Sequence, residues 1–163
     1  RTRCKRDFSA LLGFYLKNVC LFAKRRGQVI FSEQGEMLFT HYGISGPLVL
    51  SLSARINRLP FAELSCYIDF KPALDRETLD ARLVRDLSER KNEQMKNVMR
   101  GLLPSALCLP VLKGAGIDPL KQANAVTREE RSRLLDTLKN FPIVLTSLRG
   151  FEAAVVPSGG LEL

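Results

Sequence analysis

GEMLFTHYGISGPLVLSLS, residues 35–53, reads as a short strand, a polar loop and the start of a helix. The apolar run at residues 37–39 is typical of a buried strand. Pro47 suits the first turn of a helix, where its missing N–H is no loss, and Ser45 or Gly46 would be the cap. Apolar residues at helical spacing follow and predict a helix over about residues 47–57 that buries Leu48, Val49, Leu52 and Ile56.

The loop between this strand and this helix holds the candidate chemistry. His41 is the only histidine of the chain and the only side chain that titrates near neutral pH unaided. It is therefore the candidate catalytic residue, as a general acid or a substrate hydrogen-bond donor, with a purely structural histidine as the alternative. Because a helix N-terminus favours anions, the candidate substrate- or anion-binding residues are Thr40, Gly43, Ser45 and Gly46.

An ordinary helix cap is the simpler interpretation of Ser45, and it stands beside the anion-binding one. The loop lacks the G-x-S-x-G spacing of a hydrolase serine, and neither G-x-G-x-x-G nor the P-loop pattern occurs in the chain. These absences leave the chain without a dinucleotide fingerprint of its own.

Strand patterns lie on both sides of the loop. Residues 13–23 alternate as a strand, residues 24–27 form a turn, and residues 29–31 return as a second strand. A further turn at residues 33–35 and a third strand at 36–40 would complete a meander. Alternation over residues 62–70 predicts another strand, and residues 143–148 and 151–156 predict a closing hairpin.

Between residues 75 and 140 the apolar period lengthens to that of helices. Asp75 caps a predicted helix that continues to about residue 91, and Asn92 would cap a second that ends at Pro104. A third begins at Ser105 and ends at Gly114. Thr127 and Glu130 have the spacing of a capping box for the last helix.

These elements predict an α+β fold, in which both ends of the chain form a β-barrel or sandwich with a small helical bundle inserted. The predicted β subdomain comprises residues 1–74 and 141–163, including the helix at about 47–57. The predicted helical subdomain comprises residues 75–140.

Composition limits the compartment and the partners. The 163 residues carry a net charge of +8, and residues 1–34 hold eight basic side chains against two acidic ones. Such an end suits nucleic acid, an acidic partner or cofactor phosphates, although a solvated surface is the favoured interpretation. Four cysteines without a C-x-x-C pair predict no metal site and fit reduced thiols in the cytoplasm. No window approaches the ~20 apolar residues of a membrane span.

FTHYGISGP, residues 39–47, resembles the hallmark of a bacterial flavoprotein family, the BaiN-type or aminoacetone-oxidase-like NAD(P)/FAD-dependent oxidoreductases. In that family the segment lies in an insert domain that interrupts an FAD-binding Rossmann-type fold. LKNV at residues 16–19 resembles the strand that opens the insert, and VVPSGGL at 155–161 resembles the return to the flavin domain. Pro157 and Leu161 replace the usual threonine and valine there.

The resemblance implies that the chain, which begins at Arg1 and ends just after a Gly-Gly pair, is the substrate-side or lid domain excised from an FAD-dependent oxidoreductase. FAD would be bound mainly by the flavin-binding domain of the same parent chain, with NAD(P)H as a further cofactor. Gly159 and Gly160 would lie near the flavin, and residues 40–46 would face a small-molecule substrate. The isolated fragment would be inactive.

A different class of function remains open. A basic barrel with aromatic residues among its arginines and lysines could stack bases and neutralise phosphates, as single-stranded nucleic-acid-binding modules do. The residues in question are Phe8, Phe14, Tyr15 and Phe22. Because their spacing also suits a core, nucleic acid is the less favoured partner.

Overall fold

The computed structural model describes residues 14–40, 43–60, 63–147 and 152–155, which form the α+β fold that the sequence predicts. The described residues belong to two units. The β unit contains those as far as Pro72 together with Pro142–Val155, and the helical unit contains Ala73–Phe141.

Antiparallel strands and one helix make up the β unit. The strands are β1 (Phe14–Arg25), β2 (Gln28–Thr40), β3 (Gly43–Ser45), β4 (Leu64–Asp69), β5 (Phe141–Ser147) and β6 (Glu152–Val155). They follow one another around a barrel in the order β1-β2-β3-β6-β5-β4, and β1 also pairs with β4. The hairpin predicted at the end of the chain is confirmed, because β5 and β6 pair antiparallel.

The turn between β1 and β2 has the shape that a two-residue hairpin needs. Arg25 pairs with Gln28, and the two residues between them, Arg26 and Gly27, have φ of 55° and 82°. Positive φ at both central residues matches the right-handed twist of the strands. The turn predicted over residues 24–27 is thus confirmed, and Gly27 adopts its conformation without steric cost.

The second predicted turn, at residues 33–35, is wrong. Gln28–Thr40 is one continuous strand, and Gly35 pairs with Val19 beside an irregularity in the register. The physical reason lies in packing against the helix that follows β3. A Cβ at Gly35 would be 3.3 Å from Leu48 Cδ2, so this glycine leaves room for a helix side chain instead of reversing the chain.

That helix, α1, spans Pro47–Ile56, close to its predicted range. Its apolar stripe is buried as the spacing predicts, at Leu48, Val49, Leu52 and Ile56. Inward-facing strand residues complete the core of the β unit, among them Val19, Leu21, Ala23, Met37, Phe39, Cys66 and Ile68. Alternation therefore separates an apolar interior from an outer face on β1 and β4.

The helical unit contains α2 (Arg76–Glu89), α3 (Met95–Val98), α4 (Ser105–Ala115) and α5 (Arg128–Lys139). The Asp75 side chain accepts a hydrogen bond from Thr78 N at 2.8 Å and caps α2, as predicted. The capping box of α5 is present too, since Glu130 N donates to Thr127 Oγ1 and Thr127 N donates to Glu130 Oε1. Both caps are local, and both are confirmed.

The second predicted helix is wrong in its start and its length. Gln94 precedes α3, which has four residues and continues as a 3-10 turn over Met99–Gly101. Gln94 is instead held extended by an isolated bridge to Gln122, and Met95 N donates to Lys121 O at 2.8 Å while Ala123 N donates to Glu93 O at 2.9 Å. The sequence predicts that the third helix ends at Gly114. In the structure α4 ends at Ala115, and Gly116 is its left-handed cap.

None of the helices in the described ranges combines the length and the apolar character that a membrane span requires.

Candidate functional site

The predicted site lies where β2, β3 and α1 follow one another. Phe39 pairs with Ile44 and Thr40 pairs with Gly43, so β2 and β3 pair as neighbouring antiparallel strands. Residues 41 and 42 lie outside the described ranges, and the predicted catalytic residue, His41, is one of them. At Thr40 and Ser45 only the backbone is described.

Gly46 joins β3 to α1 in a conformation that other residues avoid. Its φ is 114° and its ψ is −176°, a region that is essentially restricted to glycine. Pro47 follows at the first helical position, as predicted, and Leu50 N donates to Gly46 O at 3.1 Å to start the helix. Gly46 is therefore the N-cap, and it provides no side-chain hydrogen bond to the helix.

The absence of a side-chain cap at Gly46 matters for the predicted anion site. The amides of Leu48 and Val49 precede the first helical hydrogen bond, so helix geometry leaves them without an intrahelical acceptor. Such amides, with the helix dipole, favour a negative group. The roles assigned to Thr40, Gly43, Ser45 and Gly46 stay predictions; the structure places all four on one β2–β3–α1 connection. Gly159 and Gly160 lie outside the described residues.

Within the described ranges the chain does not fit a complete FAD site. A dinucleotide pyrophosphate needs a glycine-rich loop between a strand and a helix N-terminus. The β3–α1 connection is the single residue Gly46, and the connection from β4 to α2 contains no glycine. Gly46 and the first turn of α1 can meet at most one anionic group, such as one end of a cofactor or substrate.

A second candidate surface lies on the outer face of β1 and β4. Phe22 pairs directly with Tyr67, and their rings stack with centroids 5.3 Å apart and planes inclined by 25°. Lys24 Nζ lies 6.0 Å from the centre of the Phe22 ring and 5.6 Å from that of Tyr67. Phe22, Tyr67 and Lys24 together are called here the Phe22–Tyr67 surface.

Sequence reasoning found only part of this surface. The nucleic-acid alternative includes Phe22, and Lys24 is among the basic residues counted at that end of the chain, but Tyr67 is not part of it. Tyr67 stands at an outward position of the strand alternation, which is a signal for exposure. Its pairing with Phe22 joins residues far apart in sequence, and no local pattern reports that pairing.

The charged groups around the Phe22–Tyr67 surface are already engaged. Arg25 Nε donates to Glu63 Oε1 at 2.7 Å, and Arg26 Nη2 reaches Glu63 Oε2 at 3.4 Å. Asp69 Oδ1 accepts from Lys71 N at 2.9 Å. Among the described residues, Lys24 makes no ion pair with a carboxylate, which leaves its charge available to a ligand.

The remaining candidate groups are metal-ligating side chains and cysteine thiols. No cluster of three or more histidine, cysteine or acidic residues that could hold a metal occurs in the part of the chain that the structure describes. Cys20, Cys66 and Cys108 are free thiols. Burial raises the pKa of the Cys66 thiol to about 11 and also raises the pKa of Cys108, so both are poor nucleophiles.

The helical unit has a hollow of about 480 Å³ between α2 and the segment before α5. Its polar lining includes Lys91, Asn124 and Arg131, and its apolar lining includes Leu87 and Val126. Arg131 Nε already donates to Asp80 Oδ1 at 2.9 Å. The hollow therefore offers less free charge than its lining suggests.

Sequence similarity to known proteins extends over most of the chain. A family profile described as "HI0933-like protein barrel and H2TH domain" matches residues 4–156. The ribosomal RNA dihydrouridine synthase of Escherichia coli (strain K12) is 30% identical over 142 residues, which cover 82% of this chain and 33% of that protein. The 3-dehydro-bile acid delta(4,6)-reductase of Clostridium scindens is 24% identical over 137 residues, or 83% of this chain and 34% of that protein. The chain thus spans about a third of the length of these curated relatives.

Proposed function

The chain belongs to the HI0933-like protein barrel and H2TH domain family, and from that membership we propose that it is the substrate-side insert domain of an FAD-dependent oxidoreductase. The family is associated with flavoprotein oxidoreductases and with FAD. Membership also confirms the resemblance of residues 39–47 to the BaiN-type flavoproteins.

Two observations together support the proposal. The family profile matches residues 4–156, nearly the whole chain, and the chain covers only about a third of the length of its relatives. The described residues offer no loop for a dinucleotide. In our proposal the remaining length of the protein therefore binds FAD and carries the redox chemistry, with NAD(P)H as the source of electrons.

This domain would bind and orient the substrate. The β2–β3 hairpin and the start of α1 would face the reacting group, with the amides of Leu48 and Val49 toward an anionic or partly negative atom. His41, which lies between β2 and β3 in the sequence, would donate or accept the proton, because an imidazole titrates in the range where such transfer is efficient at neutral pH. The free thiols support a cytoplasmic location for the protein.

A specific observation favours RNA over a small molecule as the substrate. The Phe22–Tyr67 surface combines stacked rings with a free cation, which suits bases and phosphates better than a steroid or a small acid. The Escherichia coli relative is named for an activity on ribosomal RNA. The family name includes an H2TH domain, which also hints at nucleic acid. The sequence-based preference for a small-molecule substrate remains the second candidate, supported by the bile acid reductase.

The experiment is an anaerobic turnover of the full-length flavoprotein. The bound flavin is reduced with NADPH, and RNA transcripts or a bile-acid enone are added while the visible absorbance of oxidised flavin is followed. We expect unmodified RNA to restore that absorbance. RNA with dihydrouridine in place of uridine is the matched control and should leave the flavin reduced.

Two outcomes would contradict the proposal. Purified protein that neither contains nor binds a flavin would remove the oxidoreductase assignment. Reoxidation by the enone alone would keep the enzyme class and replace RNA with the small-molecule candidate.

A further inference from the structure

Phe22 and Tyr67 lie on the outer face of the barrel, away from its apolar core. Along β1 the buried residues are Val19, Leu21 and Ala23, so Phe22 points to the opposite face. On β4 the same alternation buries Cys66 and Ile68 and turns Tyr67 outward. Both rings are half-buried, which leaves part of each in contact with solvent.

The aromatic pair adds little to the stability of the sheet. A cross-strand aromatic pair contributes roughly 0.2–1 kcal/mol relative to alanines, and many residue pairs would serve. Exposed aromatic area on a sheet is also the usual platform on which proteins stack unpaired bases, because every base has a π-face.

The charge around the rings has the sign that a nucleic acid requires. Lys24 Nζ lies over both rings, 6.0 Å from the centre of Phe22 and 5.6 Å from that of Tyr67, and has no carboxylate partner among the described residues. Between Phe14 and Pro72 the sequence holds seven lysines and arginines against four acidic residues. Ser65 pairs with Lys24 across β1 and β4 and is exposed, so its hydroxyl can donate to a phosphate or a base edge. Ser32, which pairs with Phe22, is exposed too, and its Oγ lies 3.4 Å from Cys20 Sγ.

We propose that the Phe22–Tyr67 surface binds an unpaired stretch of RNA, with a base stacked on the rings of Phe22 and Tyr67 and a phosphate neutralised by Lys24. This inference rests on the proposed function, since it locates the RNA contact outside the reacting loop. A duplex is a poor ligand here, because A-form RNA keeps its bases stacked inside the helix. The surface therefore holds the strand that flanks the reacting nucleotide.

The test measures binding of a fluorescein-labelled oligouridylate of about eight nucleotides to the full-length protein by anisotropy, at several salt concentrations. Tyr67→Leu keeps an apolar side chain but removes the ring, and we expect it to weaken binding by about tenfold, within the range reported for loss of one stacked base. Tyr67→Phe keeps the ring and should bind within about twofold of the unaltered protein.

Lys24 gives a second, independent readout. Lys24→Gln should weaken binding and lower the slope of log K against log salt by about 0.7, the value for one phosphate contact on a single strand. Lys113→Gln is the matched control, since Lys113 is an exposed lysine of α4 with no ion pair among the described residues. It should leave the slope unchanged.

The outcomes separate this inference from the proposed function. If RNA reoxidises the flavin while Tyr67→Leu and Lys24→Gln both bind like the unaltered protein, the surface is not the RNA contact and the proposed function stands. If both variants lose affinity only together with their far-UV circular dichroism, or if Lys113→Gln loses as much as Lys24→Gln, the inference is wrong. If the unaltered protein binds no oligouridylate, the inference fails as well.

Discussion

Glu130 shows how one side chain serves both a helix end and a charge pair. Its carboxylate accepts from Thr127 N and also pairs with Lys121 Nζ at 2.7 Å. The hydrogen bond from Lys121, followed by that from the Thr127 backbone, holds the pKa of Glu130 below its usual value. A lowered pKa in the folded state means that protonation at acid pH favours the unfolded chain.

We therefore expect Glu130→Gln to flatten the acid side of the stability profile. Glutamine still completes a capping box, so the change removes mainly the charge. The difference between variant and unaltered protein should be about 1 kcal/mol or less near pH 7, as for exposed ion pairs. It should begin to shrink as the pH falls below the ordinary pKa of a glutamate and disappear below the lowered pKa of folded-state Glu130. Urea midpoints from pH 7 to pH 3 measure it.

Glu129→Gln is the matched control, because Glu129 lies in the same first turn and makes no ion pair among the described residues. An equal loss of stability in both variants at pH 7, with the same pH dependence, would show that the Lys121 pair contributes nothing.

At the scale of single residues, the sequence predicts those features that depend only on neighbours a few residues away in the chain. The caps at Asp75 and Thr127 and the proline that opens α1 follow from spacings of one to three residues, and the structure has all of them. The stacking of Phe22 on Tyr67, in contrast, joins residues that are far apart in the sequence. It depends on which strands become neighbours in the barrel, and that is decided by the whole β unit.

At the scale of elements, the start of α1 depends on the backbone of Gly46. Gly46→Ala should destabilise the protein by about 1–3 kcal/mol, because a side chain disfavours this φ and ψ. The nearest atom to an added Cβ would be Leu38 N at 3.6 Å, an ordinary contact, so the cost is conformational and not a clash. Urea unfolding followed by circular dichroism measures the effect.

Gly101→Ala provides the comparison. Gly101 has no positive φ, and an added Cβ would meet only the end of the flexible Arg90 side chain at 3.4 Å. That substitution should be neutral or stabilising by up to about 1 kcal/mol, as at other compatible glycines. A Gly46→Ala variant as stable as Gly101→Ala would mean that the α1 start is not strained.

Elements whose form is decided by distant neighbours are the ones that sequence reasoning misplaces. Gly35 suggests a turn on its own, but Leu48 of α1 occupies the space that its missing side chain leaves. Asn92 is a good cap on its own, but the bridge between Gln94 and Gln122 and the backbone hydrogen bonds to residues 119–123 keep Gln94 extended, so that α3 begins only at Met95. In both regions the predicted type of element, strand or helix, is correct, and its predicted boundaries are wrong.

At the scale of the whole molecule, we propose that this domain binds the substrate and that the rest of the protein binds the flavin. The described residues build a β unit with a hairpin, a glycine-led helix start and an aromatic outer face, and they contain no dinucleotide loop. Composition and charge alone cannot distinguish a flavoprotein insert from a nucleic-acid module, because a basic barrel suits both. In our proposal the two alternatives describe one protein, in which a flavin-dependent enzyme uses this domain to hold RNA.

Hydrogen exchange on the full-length protein, with its flavin reduced and with RNA present or absent, tests whether the β2–β3–α1 connection faces the substrate. We predict slower exchange of the amides over residues 44–50 when RNA is present, because the helix start and the substrate exclude water from each other. Residues 105–115 in α4 should exchange equally in both conditions and serve as the internal reference. If RNA binds and reoxidises the flavin while exchange at residues 44–50 does not change, this connection is only a helix cap and the domain does not present it to the substrate.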